Sequence, residues 1–214
     1  VALASTARDK GLLRVVPASG STQAAAPGRP SDAELIEAVA RGDDRVASLL
    51  YDRVAAVVDR TLVRVFGRRE PDHDDLVQST FEQIVITLAR RRFAGACSLT
   101  TWAARVASHV GLNALRSRRR ERRVIDKGTE VDEPAGPVSA QRQLEARGAV
   151  ERVRAALAEM DPAKAEAVFL HDVLGHELAE VAVLSGTSVA AAQSRLVRGR
   201  RELLERLERE GVTP

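Results

Sequence analysis

Apolar residues along this chain recur at steps of three and four, the spacing of one face of a helix, and the breaks between such runs coincide with capping residues, glycine or proline. Ser31-Asp32-Ala33-Glu34 sets a capping residue three positions before a glutamate; Leu35, Ile36 and Val39 then predict a short amphipathic helix closed at Gly42. A second helix starts at Asp43 or Asp44 and carries Val46, Leu50, Val54, Val57, Val58, Leu62 and Val65 to Gly67. After Pro71, a third shows Leu76, Val77, Phe81, Ile84, Val85 and Leu88 on one face, followed by a loop of small residues, Phe93 to Ser98. The fourth begins near Thr100, with Trp102, Val106, Val110, Leu112 and Leu115 inward. Its apolar pattern stops at Arg116-Ser117-Arg118-Arg119-Arg120-Glu121-Arg122-Arg123. Four more helices are expected beyond residue 140: one with Val150, Val153, Leu157 and Met160, one through Val168, Phe169 and Val173, a short one from Glu177 to Ser185, and a long one from Val189. The last is expected to turn Val189, Ala192, Leu196, Leu203 and Leu207 inward.

Composition narrows the class. The chain has 214 residues, 44% hydrophobic and only 3% aromatic. With Ala, Leu and Val dominating the apolar part, an all-β sandwich or barrel is disfavoured. No apolar run approaches the ~18 residues of a membrane span, so no membrane insertion is expected. One cysteine, Cys97, excludes an internal disulfide, and Val1 to Arg14 lack the apolar core of a secretory signal; a cytoplasmic location is the expectation. Residues 1–30, with Pro17, Pro27 and Pro30 and no periodic apolar positions, read as a disordered leader.

The expected fold class is therefore all-α: two small helical domains, residues 31–123 and 141–210, joined by a flexible acidic linker over 124–140. In that linker Asp126, Glu130, Asp132 and Glu133 lie among Gly128, Pro134, Gly136 and Pro137. Its carboxylates either solvate the segment or lie in another positively charged channel. In the second domain a short helix, the turn Gly186-Thr187-Ser188 and a long helix make either a helix-turn-helix or a plain helical hairpin. Turning ~100° per residue sets Ala190, Ala191, Ser194, Arg198 and Arg201 opposite the apolar stripe, with Arg195 and Val197 on its flanks. Small residues at the start of a helix and arginines along it suit the major groove.

The net charge of +3 is by itself a weak reason to invoke DNA, but its arrangement is a stronger one. Six arginines fall in the eight positions 116–123, either as a solvated helix end favoured by the helix dipole or as a phosphate-tracking element.

The ordered set of motifs resembles the extracytoplasmic-function sigma factors of the sigma-seventy class. In the first domain these are Ser31-Asp32-Ala33-Glu34-Leu35, Gly42-Asp43, Asp74-Asp75-Leu76-Val77-Gln78-Ser79-Thr80-Phe81, Ser98-Leu99-Thr100-Thr101-Trp102 and Arg105-Val106-Ala107 with the arginine cluster. In the second they are Leu157-Ala158-Glu159-Met160-Asp161-Pro162, Gly175, Glu180-Val181-Ala182 and Ser194-Arg195-Leu196-Val197-Arg198-Gly199-Arg200-Arg201-Glu202-Leu203. The resemblance implies a sigma2-like domain and a sigma4-like domain in a subunit that binds core RNA polymerase through its clamp coiled coil and flap and directs initiation at promoter DNA. It implies docking through Asp75, Leu76, Gln78 and Phe81. Phe93, Cys97, Ser98, Trp102, Arg105 and His109 correspond to the elements that read and open the minus-ten promoter element, with Arg116, Arg119 and Arg120 on phosphates beside it. Ala190, Gln193, Ser194, Val197 and Arg198 correspond to readers of the minus-thirty-five element, with Arg195 and Arg201 on phosphates. An anti-sigma partner is also implied. His109 stands where the family usually has asparagine, Gln193 where it has lysine or arginine, Thr187 where it has a bulky apolar residue and Ala192 where it has valine. Trp102, spaced with Val106, also reads as a core anchor.

Two other readings compete with this one. Asp72-His73-Asp74-Asp75 with Glu82 has the residue types of a metal cluster, but His109 stands alone and His171 and His176 fall in the other domain. No phosphate-binding glycine loop or nucleophile-histidine pairing is evident, so no enzyme, metal or cofactor is expected. A helix-turn-helix regulator that binds DNA without polymerase explains the second domain and leaves the first without a task.

Overall fold

The computed structural model describes residues 30–125 and 138–209; the leader and most of the acidic linker lie outside these. Every regular element among the described residues is helical. They are α1 (Asp32–Ala40), a 3-10 turn Asp44–Val46 leading into α2 (Ala47–Phe66), α3 (His73–Ala89), α4 (Leu99–Ile125), α5 (Val138–Glu159), α6 (Pro162–Val168), a π-helical turn Phe169–Val173, α7 (Leu178–Leu184) and α8 (Val189–Arg209). No described helix is long and apolar enough to cross a membrane.

The helix ends follow from local chemistry. At α1 the Ser31 hydroxyl accepts from the Glu34 amide at 3.3 Å while the Glu34 carboxylate accepts from the Ser31 amide at 2.7 Å, closing a reciprocal cap. Gly67 ends α2 at φ +73°, where a side chain would be strained. Asp32 accepts from the Leu99 amide at 2.9 Å, tying the start of α4 back to α1. Pro162 opens α6, with the Asp161 carboxylate accepting from the Ala163 and Lys164 amides at 3.1 Å.

In the first half, Leu50, Val54, Val58 and Leu62 of α2 pack with Leu76, Ile84 and Leu88 of α3 and Leu99, Trp102, Val106 and Leu112 of α4, under Leu35 and Val39 of α1. In the second half, Leu170, Val181, Leu184 and Ala192 form one cluster around α7 and α8, and Leu157, Met160, Val168 and Leu196 form another between α5, α6 and α8. At Gly199 a methyl group would stand 2.8 Å from Val168 Cγ2 and 3.1 Å from the Lys164 carbonyl, so glycine sets how closely α8 approaches α6.

The two halves share apolar surface. Phe169, 2% exposed, is buried in the first-half cluster, while its neighbour Leu170 belongs to the second. Cys97, in the loop before α4, touches both clusters; burial pushes its thiol up, and the charge of Glu180 adds to this.

Several sequence expectations differ from the structure. α4 runs on to Ile125 and α5 begins at Val138, both inside the span assigned to the linker. Val173, Val150 and Val189 were expected inward and are exposed. In the π turn the Leu174 amide donates to the Phe169 carbonyl at 3.0 Å, an i to i−5 bond. The extra residue rotates Val173 out and brings Leu174 against both clusters in its place. Val189 sits in the first turn of α8, and Val150 joins none of the three clusters.

Candidate nucleic-acid interface

The outer face of α8 is set by what its inner face must do. Ala192, Leu196 and Gly199 are buried against α6 and α7, which turns Ala190, Gln193, Val197, Arg198 and Arg201 to solvent and leaves Ser194 and Arg195 half-buried beside them. The turn between α7 and α8 needs Gly186 at φ +61°, and the Ser188 hydroxyl accepts from the Ala191 amide at 3.2 Å to start α8. Arg195, Arg198 and Arg201 have no carboxylate partner among the described residues. Arg200, part of the same basic run, differs: its Nε donates to Asp172 at 2.9 Å, and that hydrogen bond holds the Asp172 carboxyl below the usual range. The face therefore combines small and amide groups near its start with three guanidiniums free to donate, a set suited to base edges and phosphates.

The arginines of α4 stand in a different environment. Arg105 Nε donates to Glu166 of α6 at 3.0 Å, and Arg119 Nε donates to Glu159 at the end of α5 at 3.0 Å. Glu159 also pairs with Arg123 and, at 3.0 Å, with Arg206 of α8. Burial opposes ionisation of Glu159, but the Arg119 hydrogen bond and the charges of Arg123, Arg119 and Arg206 hold its carboxyl below the usual range. Arg118 lies over the Phe66 ring at 4.6 Å and reaches Glu70 at 3.1 Å. Arg116 donates to the Asn113 side chain at 2.7 Å, and Asn113 meets His109, exposed one turn earlier, at 3.0 Å. Arg120 is exposed.

In the loop and start of α4, the half-buried Phe93 ring packs on Trp102 with centroids 4.8 Å apart, and Trp102 is buried in the first-half cluster. Ser98 is exposed, its hydroxyl accepting from the Thr101 amide at 3.1 Å as the cap of α4. On α3, Asp75 and Gln78 face solvent, Leu76 is buried, and the half-buried Phe81 meets the edge of Tyr51 at 5.4 Å. The Asp72-His73-Asp74-Asp75 run does not converge: His73 is buried with Nε2 2.9 Å from Asp59, and no group of three or more metal-ligand types occurs among the described residues.

Sequence reasoning missed the carboxylates Glu159 and Glu166 as partners of the α4 arginines. Glu159 was legible only as part of a motif; nothing local marks either as an acceptor for a helix in the other half.

Two family models match the chain, "Sigma-70 region 2" over residues 50–121 and "Sigma-70, region 4" over residues 150–203. The RNA polymerase sigma factor NccH of Alcaligenes xylosoxydans xylosoxydans is 30% identical over 186 residues, covering 83% of this chain and 95% of that protein. This chain belongs to the extracytoplasmic-function RNA polymerase sigma factors. Another family member, CnrH of Cupriavidus metallidurans, is 31% identical over 190 residues, covering 81% of this chain and 94% of CnrH. The ECF sigma factor SigG of Mycobacterium tuberculosis is 33% identical over 153 residues, 62% of this chain; the chain spans 41% of SigG's length. The region 4 match runs from the latter part of α5 into α8, its last helix, and the region 2 match ends within α4.

Proposed function

We propose that this chain is a promoter-specificity subunit that binds core RNA polymerase, reads minus-ten and minus-thirty-five elements and helps to open the former. The observation that carries this reading is the region 4 match falling on a helix-turn-helix whose second helix turns Gln193, Val197, Arg198 and Arg201 outward, the two arginines with no acidic partner among the described residues. In this reading residues 31–123 form the domain for polymerase docking and the minus-ten element, and 141–210 the domain for the minus-thirty-five element. Asp75 and Gln78 supply the polar part of the docking face, while Leu76 and Phe81 hold that helix on its core. Gln193, Ser194, Val197 and Arg198 read base edges beside Ala190, and Arg195 and Arg201 hold phosphates. Arg105, His109, Arg116, Arg119 and Arg120 track the strand at the melted element, with Phe93 and Trp102 behind the loop of Cys97 and Ser98. Unstacking a base costs a few kcal/mol, which such a loop offsets with edge hydrogen bonds and stacking.

By their names the two promoter elements lie about 25 base pairs apart, roughly 85 Å along the duplex at ~3.4 Å per pair. A chain whose α4 arginines are held by Glu159 and Glu166 must separate its halves before both elements are engaged. RNA synthesis belongs to the polymerase; this chain supplies recognition, acts in the cytoplasm, needs no cofactor and is held in check by an anti-sigma protein.

In vitro transcription tests the reading. Purified chain added to core enzyme is expected to give specific transcripts from the promoter upstream of its own operon. Failure to bind core, together with DNA binding by the isolated chain, would point instead to a regulator that works without polymerase.

A further inference from the structure

Between the end of α4, the end of α5 and α8 lies a cavity of about 380 Å³, lined by Arg116, Arg119, Arg120, Arg123, Glu159 and Arg206, with Ala158 completing the wall. Five guanidiniums thus face one carboxylate. Glu159 is already shared among Arg119, Arg123 and Arg206, and Glu202, outside the lining, also pairs with Arg206 at 3.1 Å, which still leaves the cavity with a net positive charge. In two of the lining residues, Arg116 Nε and Nη2 and Arg206 Nε are shielded from solvent and have no hydrogen-bond partner among the described residues. Leaving buried charged donors unpaired is costly, and such an arrangement is stable when an anion with several acceptor oxygens supplies the missing partners.

We propose that this cavity is a binding site for a compact oligophosphate, a pyrophosphate group either free or carried on a nucleotide. Guanidinium forks match phosphate oxygens two by two, and a single carboxylate or sulfate carries too little charge to balance five arginines and one glutamate. A DNA duplex does not fit a cavity of this size walled on one side by α5 and α8. The ligand bridges the halves, because Arg116, Arg119, Arg120 and Arg123 come from α4 and Arg206 from α8. By linkage, its binding favours the arrangement with the halves together and opposes any binding that needs them apart. The site does not depend on the chain's acting as a sigma factor.

Titration calorimetry on the full chain at about 150 mM salt tests it, with inorganic pyrophosphate, ADP and GDP as probes and sulfate as the control anion. Saturable one-to-one binding of pyrophosphate, with sulfate much weaker, is the expected result; tighter binding of ADP or GDP identifies a nucleotide as the carrier, and equal or weaker binding identifies the free anion. Arg116→Gln and Arg206→Gln should each weaken binding roughly tenfold or more. Arg122→Gln, which removes the same charge from α4 outside the cavity, should change it less than about threefold. Because Arg206 also holds the α5 end, Ala158→Glu serves as a second variant, placing a carboxylate in the wall and abolishing binding. The proposal is overturned by no saturable binding up to about 1 mM, by sulfate matching pyrophosphate, by Arg122→Gln losing as much as Arg116→Gln, or by folded Arg206→Gln and Ala158→Glu proteins that bind unchanged.

Discussion

The basic faces of α4 and α8 are built from the same side chain and stand in opposite conditions. On α8, Arg195, Arg198 and Arg201 have no acidic partner among the described residues. On α4, Arg105 and Arg119 are held by carboxylates that belong to the other half of the chain. The difference separates basic composition from available charge. A guanidinium that faces solvent offers its full fork to a phosphate or a guanine edge, whereas one held by a part-buried carboxylate must first give up that pair. In this arrangement the α8 arginines are without acidic partners among the described residues and much of the α4 face is engaged.

The strongest challenge to the contrast is Phe169→Ala. Removing a ring that the second half buries in the first-half core should cost about 3 kcal/mol or more of stability, measured by urea denaturation, and should lengthen the distance between dyes on α3 and α8. A small loss with no change in distance would mean that the halves are not clasped by this residue. Next in size, Arg198→Ala should weaken binding to a minus-thirty-five duplex by about 1 to 3 kcal/mol, with a loss that varies with sequence. A uniform loss would reduce Arg198 to a phosphate contact.

Glu159→Gln acts in the other direction. By loosening Arg119, Arg123 and Arg206 it should tighten non-specific DNA binding by about 1 kcal/mol at low salt, read by fluorescence anisotropy. Unchanged affinity would show that the carboxylate does not compete with DNA. The smallest effect is that of pH. Because the folded protein holds the Glu159 carboxyl below its ordinary range, its stabilising contribution is complete above that range and is lost as the pH falls through the lowered value. Acidification below about pH 4 should therefore separate the dyes in the wild type more than in Glu159→Gln.

Much of the fold was legible in the sequence because helix period and end chemistry are local. Ser31 with Glu34, Gly67, and Asp161 with Pro162 mark the ends where the structure has them. The inward stripes of α2 and α4 were legible for the same reason. The π turn was not: one inserted residue exchanges Val173 for Leu174, and no periodic pattern records it. The basic faces were visible as composition, yet their states were not. Arg119 and Glu159 are 40 positions apart, and Arg105 and Glu166 are 61, so their pairing depends on how the halves meet. Likewise Trp102 read both as a core anchor and as part of the minus-ten elements; its burial against Phe93 places the ring in the core.

Phe169 and Leu170 are joined by one peptide bond and belong to different cores. A chain divided into two such regions would ordinarily melt in two steps. Here the loss of either core pulls on the backbone that anchors the other, so heating should give a single cooperative transition, and amide exchange at this turn should be as slow as in the centre of either half.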